Sequence, residues 1–406
     1  MKSYQDTEIH NLIHIQEKAQ QNCVNLIASE SYAPRAVLDE LGSVLTNKYS
    51  EGYPSKRYYP GNKIHDEIEL LAQKRALQLF HLSTKEWGVN VQPYSGAIAN
   101  AEIYAALLMP KDVILALDLT AGGHLSHGSK VSITGKLYRV YHYGIDMKYH
   151  IDYAQAERLA KKYKPKLIIS GASAYPFGID FKKINTIAKK VGAYHLTDIS
   201  HYAGLIASGK YPSPFLYADI VMSTTHKSLF GPRGAIIWSR VGLSEKINKA
   251  VFPGMQGGPH INTIAGIATG LAIAQKSKPY YAQVIKNTAV FAKELQKRGC
   301  ILVGNGTESH LLLLDVRPFG LHGGEAERML EKNNILANRN IVFGDVSVQK
   351  PSAVRMGLYA MTQRGMKERD IIQLARIVYG ILSRTVSDSV SKKEVHALTR
   401  RFPIIR

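Results

Sequence analysis

From about residue 90 to residue 240, short apolar runs alternate with longer amphipathic stretches, and this alternation constrains the fold more than any other feature of the chain. The runs Val113–Leu117, Lys166–Ser170, Tyr194–Thr197, Ile220–Ser223 and Ala235–Trp238 have the length and composition of buried strands. Between them, Ala97–Met109, Tyr153–Lys162 and Lys183–Val191 repeat apolar residues at helical spacing. Strands that alternate with helices of this length give an α/β fold, with a mostly parallel sheet covered by helices on both faces. In such sheets the chemistry collects beyond the carboxyl ends of the strands. Polar residues stand there: Ser173 after one strand, Asp198 after the next, and His226 and Lys227 after a third.

Beyond this region, Phe252–Pro259 is a dense turn signal, followed by a helical region running to about Gly299. A second αβ segment starts at Ile301, with Leu311–Val316 as its clearest strand. The reading is of two domains, an N-terminal arm with a large domain over residues 1–278 and a smaller C-terminal domain over residues 279–406. No internal repeat or low-complexity segment is evident. The 406 residues are enough for each domain to bury a core of its own. Cys23 and Cys300 stand far apart and supply no disulfide framework, CxxC pair or thiolate zinc site, which fits a reducing, cytoplasmic setting. The start, Met1 to His10, carries Asp6 and Glu8 and does not read as a signal peptide. Ile261–Ala274 is too short to span a bilayer, so no membrane partner is expected.

Lys and Arg outnumber Asp and Glu by 52 to 32, a net charge of +20. Lys161, Lys162, Lys164 and Lys166 form one cluster, Lys182, Lys183, Lys189 and Lys190 a second, and Arg400, Arg401 and Arg406 lie at the tail. An RNA-binding surface is one reading of that excess, but no recognition motif accompanies it, and solvated helix faces are the simpler one.

Asp198-Ile-Ser-His201 and Thr224-Thr-His-Lys227 form the constellation that carries chemistry. A lysine amine can form a Schiff base with the aldehyde of pyridoxal 5′-phosphate, and a carboxylate can keep the cofactor's ring nitrogen protonated. Ser95-Gly96, just ahead of a helix, offers backbone N–H groups and a hydroxyl for the phosphate. Read singly, Asp198 is a helix cap and Lys227 a surface lysine; read together at strand ends, they favour the cofactor. The competing reading is a metal site built from His124, His127, His201 and His226. The glycines that open the His124 segment and the absence of an HExxH acid count against it, and no metal is expected.

The ordered segments Leu26–Tyr32, Leu45–Tyr59, Asn90–Gly96, Gly122–Gly128, Ser173–Tyr175, Thr224–Lys227, Gly231–Gly234, Phe252–Pro259, Val354–Gly357 and Thr362–Gly365 resemble those of the serine hydroxymethyltransferases over almost the whole chain. The resemblance implies a fold-type I, aspartate-aminotransferase-like enzyme that uses pyridoxal 5′-phosphate to move the hydroxymethyl carbon of serine to tetrahydrofolate, leaving glycine. It implies Lys227 as the Schiff-base lysine, Asp198 at the ring nitrogen and His124 stacked on the ring. Ser173 and His201 would contact the ring oxygen or the substrate carboxylate side. Ser95, Gly96 and His226 would hold the phosphate, with Arg233 near it. Tyr49, Gly257 and Gly258 would be lent to the phosphate of a neighbouring subunit in a homodimer, with a tetramer as a further assembly. Arg355 would fork the amino-acid carboxylate, assisted by Ser29. Glu51 and Tyr59 would sit at the substrate hydroxyl, also across the dimer, with Glu51 as general acid–base. Leu119, Gly123 and Leu125 would join the substrate-binding set.

Several positions depart from the usual family pattern. Tyr94 stands where a histidine is common, Ile98 replaces a glutamine, and Phe230 replaces a small or basic residue. Leu358-Tyr359 replaces Thr-Pro after the carboxylate arginine, and Gly344 replaces an asparagine on the folate side. These changes open an alternative on the same fold, a folate-independent aldolase or transaldolase acting on threonine and other β-hydroxy amino acids.

Overall fold

The computed structural model describes residues 6–405 except Val346 and Val348, so Met1 and Arg406 lie outside the described residues. The chain divides into two compact units, one formed by residues 31–282 and the other by the residues up to 30 together with residues 283–406. The sequence reading places the boundary near 278 and groups the first 30 residues with the large domain. In the structure they cluster with the C-terminal half, because the strand Val24–Asn25 pairs in parallel with Ile335–Leu336.

The large unit is built on a seven-stranded sheet. Its strands are β1 (Trp87–Asn90), β2 (Val113–Leu117), β3 (Arg139–Tyr143), β4 (Leu167–Ser170), β5 (Tyr194–Asp198), β6 (Ile220–Thr224) and β7 (Ala235–Arg240), in the order β1-β7-β6-β5-β4-β2-β3. Neighbouring pairs from β3 through β6 are parallel, whereas β7 runs antiparallel to both β6 and β1. Central strands buried on both faces need apolar residues at successive positions, and Leu167-Ile-Ile-Ser and Ile220-Val-Met-Ser-Thr meet that need.

The helices follow from amphipathic spacing and caps. α1 (Lys63–Leu79), α2 (Gly96–Leu107), α3 (Tyr153–Tyr163), α4 (Phe181–Val191) and α5 (Ile261–Lys276) belong to this unit. α4 shows the pattern most plainly. Asp180 caps its first turn by accepting from the Lys183 N–H, and Gly192 ends it in the left-handed conformation. Phe181, Ile184, Ile187 and Ala188 are buried, while Lys182, Lys189 and Lys190 are exposed. Both internal lysine clusters are therefore on or beside helix faces, and several members are paired. Lys161 and Lys190 both meet Glu157, and Lys166 meets Asp112.

The smaller unit holds a four-stranded antiparallel sheet of β8 (Ile301–Leu302), β9 (Leu311–Asp315), β10 (Asn338–Asn340) and β11 (Ala353–Gly357), in the order β8-β9-β11-β10. Among the described residues, no helix is long and apolar enough to cross a membrane.

Candidate active site

The carboxyl ends of β2, β4, β5 and β6 meet along one edge of the large sheet, and the expected cofactor residues follow directly from them. Asp198 ends β5, its residue only 8% exposed. Its carboxylate accepts from His127 Nε2 (3.1 Å), Asn100 Nδ2 (3.2 Å) and the Ser200 N–H (3.0 Å). Burial alone would raise its pKa. The His127 hydrogen bond and the electrostatic attraction of His127, Lys227 and His124 outweigh burial and hold the carboxyl far below the usual range. A buried carboxylate kept ionised in this way can face a cationic ring nitrogen.

Asn100, on the fourth residue of α2 after Gly96, also donates to Ser126 Oγ (2.9 Å), and Ser126 Oγ meets His124 Nδ1 (2.8 Å). The Ser126 N–H also points at His124 Nδ1 (3.2 Å), so this nitrogen is the acceptor and the ring carries its proton on Nε2. Asp198, Asn100, Ser126, His124 and His127 thus form one network. Sequence reasoning gave no role to Asn100 or Ser126 and considered His127 only as a metal ligand. The signal for His127 was present, since it lies inside the Gly122–Gly128 motif. One nitrogen of each ring is engaged in this network, His127 Nε2 by Asp198 and His124 Nδ1 by Ser126. Among the described residues no group of three or more His, Cys, Asp and Glu could hold a metal ion.

Lys227 lies in the Thr225–Gly234 loop between β6 and β7. The loop is closed by the Thr225 N–H on Gly234 O (3.1 Å), the Gly231 N–H on Thr225 O (3.0 Å) and Thr225 Oγ1 on Pro232 O (2.6 Å). The lysine therefore stands on a braced turn one strand away from Asp198. Phe230, one of the departures from the family pattern, is buried in this loop at positive φ against Tyr280 and Tyr281.

The phosphate side is equally marked. Ser95 is the N-cap of α2 but its side chain makes no capping bond. A Cβ on Gly96 would fall 2.5 Å from Thr224 Cγ2, so only glycine brings this helix start so close to β6. Thr224 Oγ1 and His226 Nδ1 are buried without a partner among the described residues. Burial, then the nearby cations Lys227 and Arg233, lowers the His226 imidazole to a pKa of about 3, so it is neutral near pH 7. A helix N-terminus, a hydroxyl without a capping partner and two orphaned buried polar atoms fit a phosphate.

Gly122, at φ +98°, joins two of these loops. Its carbonyl accepts from the Ser173 N–H (2.8 Å) and the Ala174 N–H (3.1 Å), and its Cα passes so close that a Cβ would lie 2.7 Å from the Ala174 carbonyl carbon. Ser173 is thereby fixed beside the Gly123-His124-Leu125 turn. His201 is buried just beyond Asp198, Leu119 is half-buried and Leu125 is exposed.

A second group of expected residues is also brought together. A Cβ on Gly257 would lie 3.4 Å from Glu51 Oε1, and one on Gly258 would lie 3.2 Å from Tyr49 Cδ1. The Tyr49 and Tyr59 rings stand 5.3 Å apart, and both are exposed. Tyr94 ties this group to α2. Its hydroxyl donates to Gly258 O (2.8 Å), its N–H donates to Gln256 Oε1 (2.9 Å), and its ring stacks on His260. Arg233 is exposed.

Arg355 and Ser29 belong to the other unit. Arg355 is in the middle of β11, where Nε donates to Asn338 Oδ1 (3.1 Å). Ser29 lies in the segment laid against the end of that strand, where the Gly357 N–H donates to Leu26 O (2.8 Å). Leu358 and Tyr359 are fully buried, Tyr359 stacking on His310, and Gly344 is in a surface turn at positive φ.

The serine hydroxymethyltransferase family model matches residues 2–378. A serine hydroxymethyltransferase of Leptothrix cholodnii is 45% identical over 99% of this chain and 97% of its own length. Those of Caenorhabditis elegans and Caenorhabditis briggsae are 42% and 44% identical, over 98% and 92% of this chain and 86% and 78% of their own. With the sheet, the Asp198 network and the Lys227 loop, these matches establish that the chain belongs to the serine hydroxymethyltransferase family.

Proposed function

We propose that the chain transfers the hydroxymethyl carbon of serine to tetrahydrofolate, reversibly, giving glycine and 5,10-methylenetetrahydrofolate, with pyridoxal 5′-phosphate as cofactor. The observation that carries this reading is the buried Asp198 carboxylate, held ionised by His127 and Asn100, one strand away from the Lys227 loop. When bound, the cofactor supplies an electron sink for the charge left on Cα as the Cα–Cβ bond breaks.

The residues do the rest. Asp198 keeps the ring nitrogen protonated, and His124, its Nδ1 engaged by Ser126, presents its ring face to the cofactor. Ser95, Gly96 and neutral His226 hold the phosphate. Arg355 forks the amino-acid carboxylate with Ser29 beside it, which fixes the orientation about Cα. Glu51, next to Tyr59, moves the proton at the substrate hydroxyl oxygen. Tyr49, Glu51, Tyr59, Gly257 and Gly258 serve the active site of a second copy, so the functional unit is a homodimer. The cysteine usage suits the reducing cytoplasm.

Borohydride reduction followed by peptide mapping should place the label on Lys227; a label elsewhere would refute the assignment. Mixing a Lys227→Ala chain with a Glu51→Gln chain tests the shared site, since hybrids regain activity only if Glu51 acts across the dimer. The Ile98, Gly344 and Leu358-Tyr359 substitutions favour one rival, the folate-independent aldolase. Serine cleavage that stays flat as tetrahydrofolate is added, with brisk threonine turnover, would establish the rival instead.

A further inference from the structure

The segment carrying Tyr49, Glu51 and Tyr59 is fastened from below by side chains that the mechanism does not use. α1 and the residue before it turn polar groups inward: Asn62, His65 and Glu69 are all buried there. Asn62 Nδ2 donates to the carbonyls of Tyr49 (3.2 Å) and Tyr59 (2.8 Å). Its Oδ1 accepts from the hydroxyl of Ser50 (2.9 Å), a residue with no exposed surface. Ser50 Oγ in turn meets His65 Nδ1 at 2.5 Å.

The direction of these bonds can be worked out. Two carbonyls fix which end of the Asn62 amide is nitrogen, so its oxygen faces Ser50 and can only accept. The Ser50 proton therefore goes to Asn62. His65 Nδ1 must then carry a proton and donate to Ser50 Oγ. The chain runs His65 to Ser50 to Asn62 to the two tyrosine carbonyls, with every donor aimed toward the loop. Burial, then the cations Arg57 and Lys48, lowers the His65 pKa below its ordinary value, with Asp66 opposing, so the ring is neutral and this tautomer is its resting form.

A second brace grips the same loop on both sides of Glu51. Arg57 Nη1 donates to the carbonyls of Ser50 and Gly52, both at 2.8 Å, and the guanidinium is held by Asp66 (2.8 Å) and the wholly buried Glu69 (2.7 Å). Burying such groups costs free energy that apolar side chains would not. Stability of the helix alone does not account for them.

We infer that Ser50, Asn62 and His65 form a buried positioning relay that sets Tyr49 and Tyr59 in register with Glu51, and so governs handling of the substrate hydroxyl. This rests on the roles proposed above for Glu51 and Tyr59. None of the three touches substrate; they act through the backbone of residues 49–59.

The test compares two reactions of the full-length, cofactor-loaded protein. Serine cleavage needs a proton moved at the substrate hydroxyl. Exchange of the glycine α-proton with solvent uses the same carboxylate and amine contacts but involves no hydroxyl. Asn62→Asp keeps the size and the acceptor but removes the donor to both carbonyls. It is expected to lower kcat for serine cleavage about tenfold, with glycine exchange changed less than about twofold, as loss of the two positioning hydrogen bonds implies. Amide hydrogen exchange over residues 49–60 should accelerate in the same variant. His65→Phe, which keeps the ring but no donor, should act in the same direction, and His65→Asn, whose amide places an N–H near Nδ1, should restore cleavage. If Asn62→Asp does not fold, Ser50→Ala removes only one hydroxyl and decides the question alone. Equal loss in both reactions, or unchanged cleavage with altered amide exchange, overturns the relay. Glu51→Gln and Tyr59→Phe are assayed in parallel. If they spare cleavage, the functional reading of the loop fails, while unchanged amide exchange in Asn62→Asp would refute the relay independently.

Discussion

Replacing Gly122 by alanine tests how the two loops beside Asp198 are joined. The new Cβ would stand 2.7 Å from the Ala174 carbonyl carbon, 2.8 Å from its oxygen and 2.9 Å from the Tyr175 nitrogen. All three are backbone atoms and cannot swing aside. The residue also sits at φ +98°, where an L side chain is strained. The conformational cost is about 1–2 kcal/mol and the overpacking cost about 1–3 kcal/mol, so the sum is about 2–5 kcal/mol. Gly192 supplies the control, because it lies at φ +71° with nothing within 4 Å of its would-be Cβ. Gly192→Ala should show the conformational cost alone. The difference between the variants, about 1–3 kcal/mol, isolates the clash and is read by denaturant unfolding of the full-length protein. Thermal melts should separate the pair by about 2–12 °C at the rate expected for large domains. The clash should also separate Ser173 from the His124 turn, so Gly122→Ala should release pyridoxal 5′-phosphate more readily while Gly192→Ala retains it. Equal destabilisation of the two variants would refute the close approach, and equal cofactor retention would refute its link to the site.

Three further outcomes are expected. Glu51→Gln should lower kcat for serine cleavage by about 10²–10⁴, the usual contribution of a general acid–base, without altering cofactor absorbance; a change under about threefold would argue against the role. Arg355→Lys keeps the charge but loses the planar fork, and kcat/KM for serine should fall about ten- to hundredfold, while an unchanged value would remove Arg355 from the carboxylate. His195, with no exposed surface, is held by burial at a pKa of about 3, against about 6.5 in an unfolded chain. The unfolded chain takes up a proton that the folded one refuses, so stability should decline as pH drops from about 6.5 toward 3. Melts of His195→Gln should show a shallower decline over that window, and an identical slope would count against it.

Much of the large unit was legible because its central strands leave little choice. Val113–Leu117 coincides with β2, and the expected runs at β4, β5, β6 and β7 differ from the observed strands only by one or two residues at their ends. β1 and β3 escaped notice for physical reasons. Trp87-Gly-Val-Asn is short and contains a glycine, and Arg139-Val-Tyr-His-Tyr is an edge strand whose residues are mostly half-exposed. The antiparallel course of β7 is invisible to a reading of β and α alternation, because no helix separates it from β6. Around the site, residues carrying recognisable chemistry, such as Asp198 and Lys227, could be picked out. Asn100 and Ser126 could not, since asparagine and serine acquire meaning only through the partners that the fold gives them. The Ser50–Asn62–His65 chain was missed for the same reason.

The pairing of Val24 with Ile335 carries a consequence for how the chain comes off the ribosome. The smaller unit is discontinuous, with residues 31–282 lying between its two parts. At about 5–20 residues per second, synthesis of that stretch takes on the order of 10–50 s. Throughout that interval the segment around Val24 and Leu26, fully buried in the finished protein, has been made but lacks its strand partner. The nascent chain must therefore keep an apolar stretch from premature association until its distant partner is translated. Chaperone demand in this protein should thus concentrate on the segment around Val24 and Leu26 rather than on strands β2 to β6 of the large sheet, whose partners lie closer in sequence.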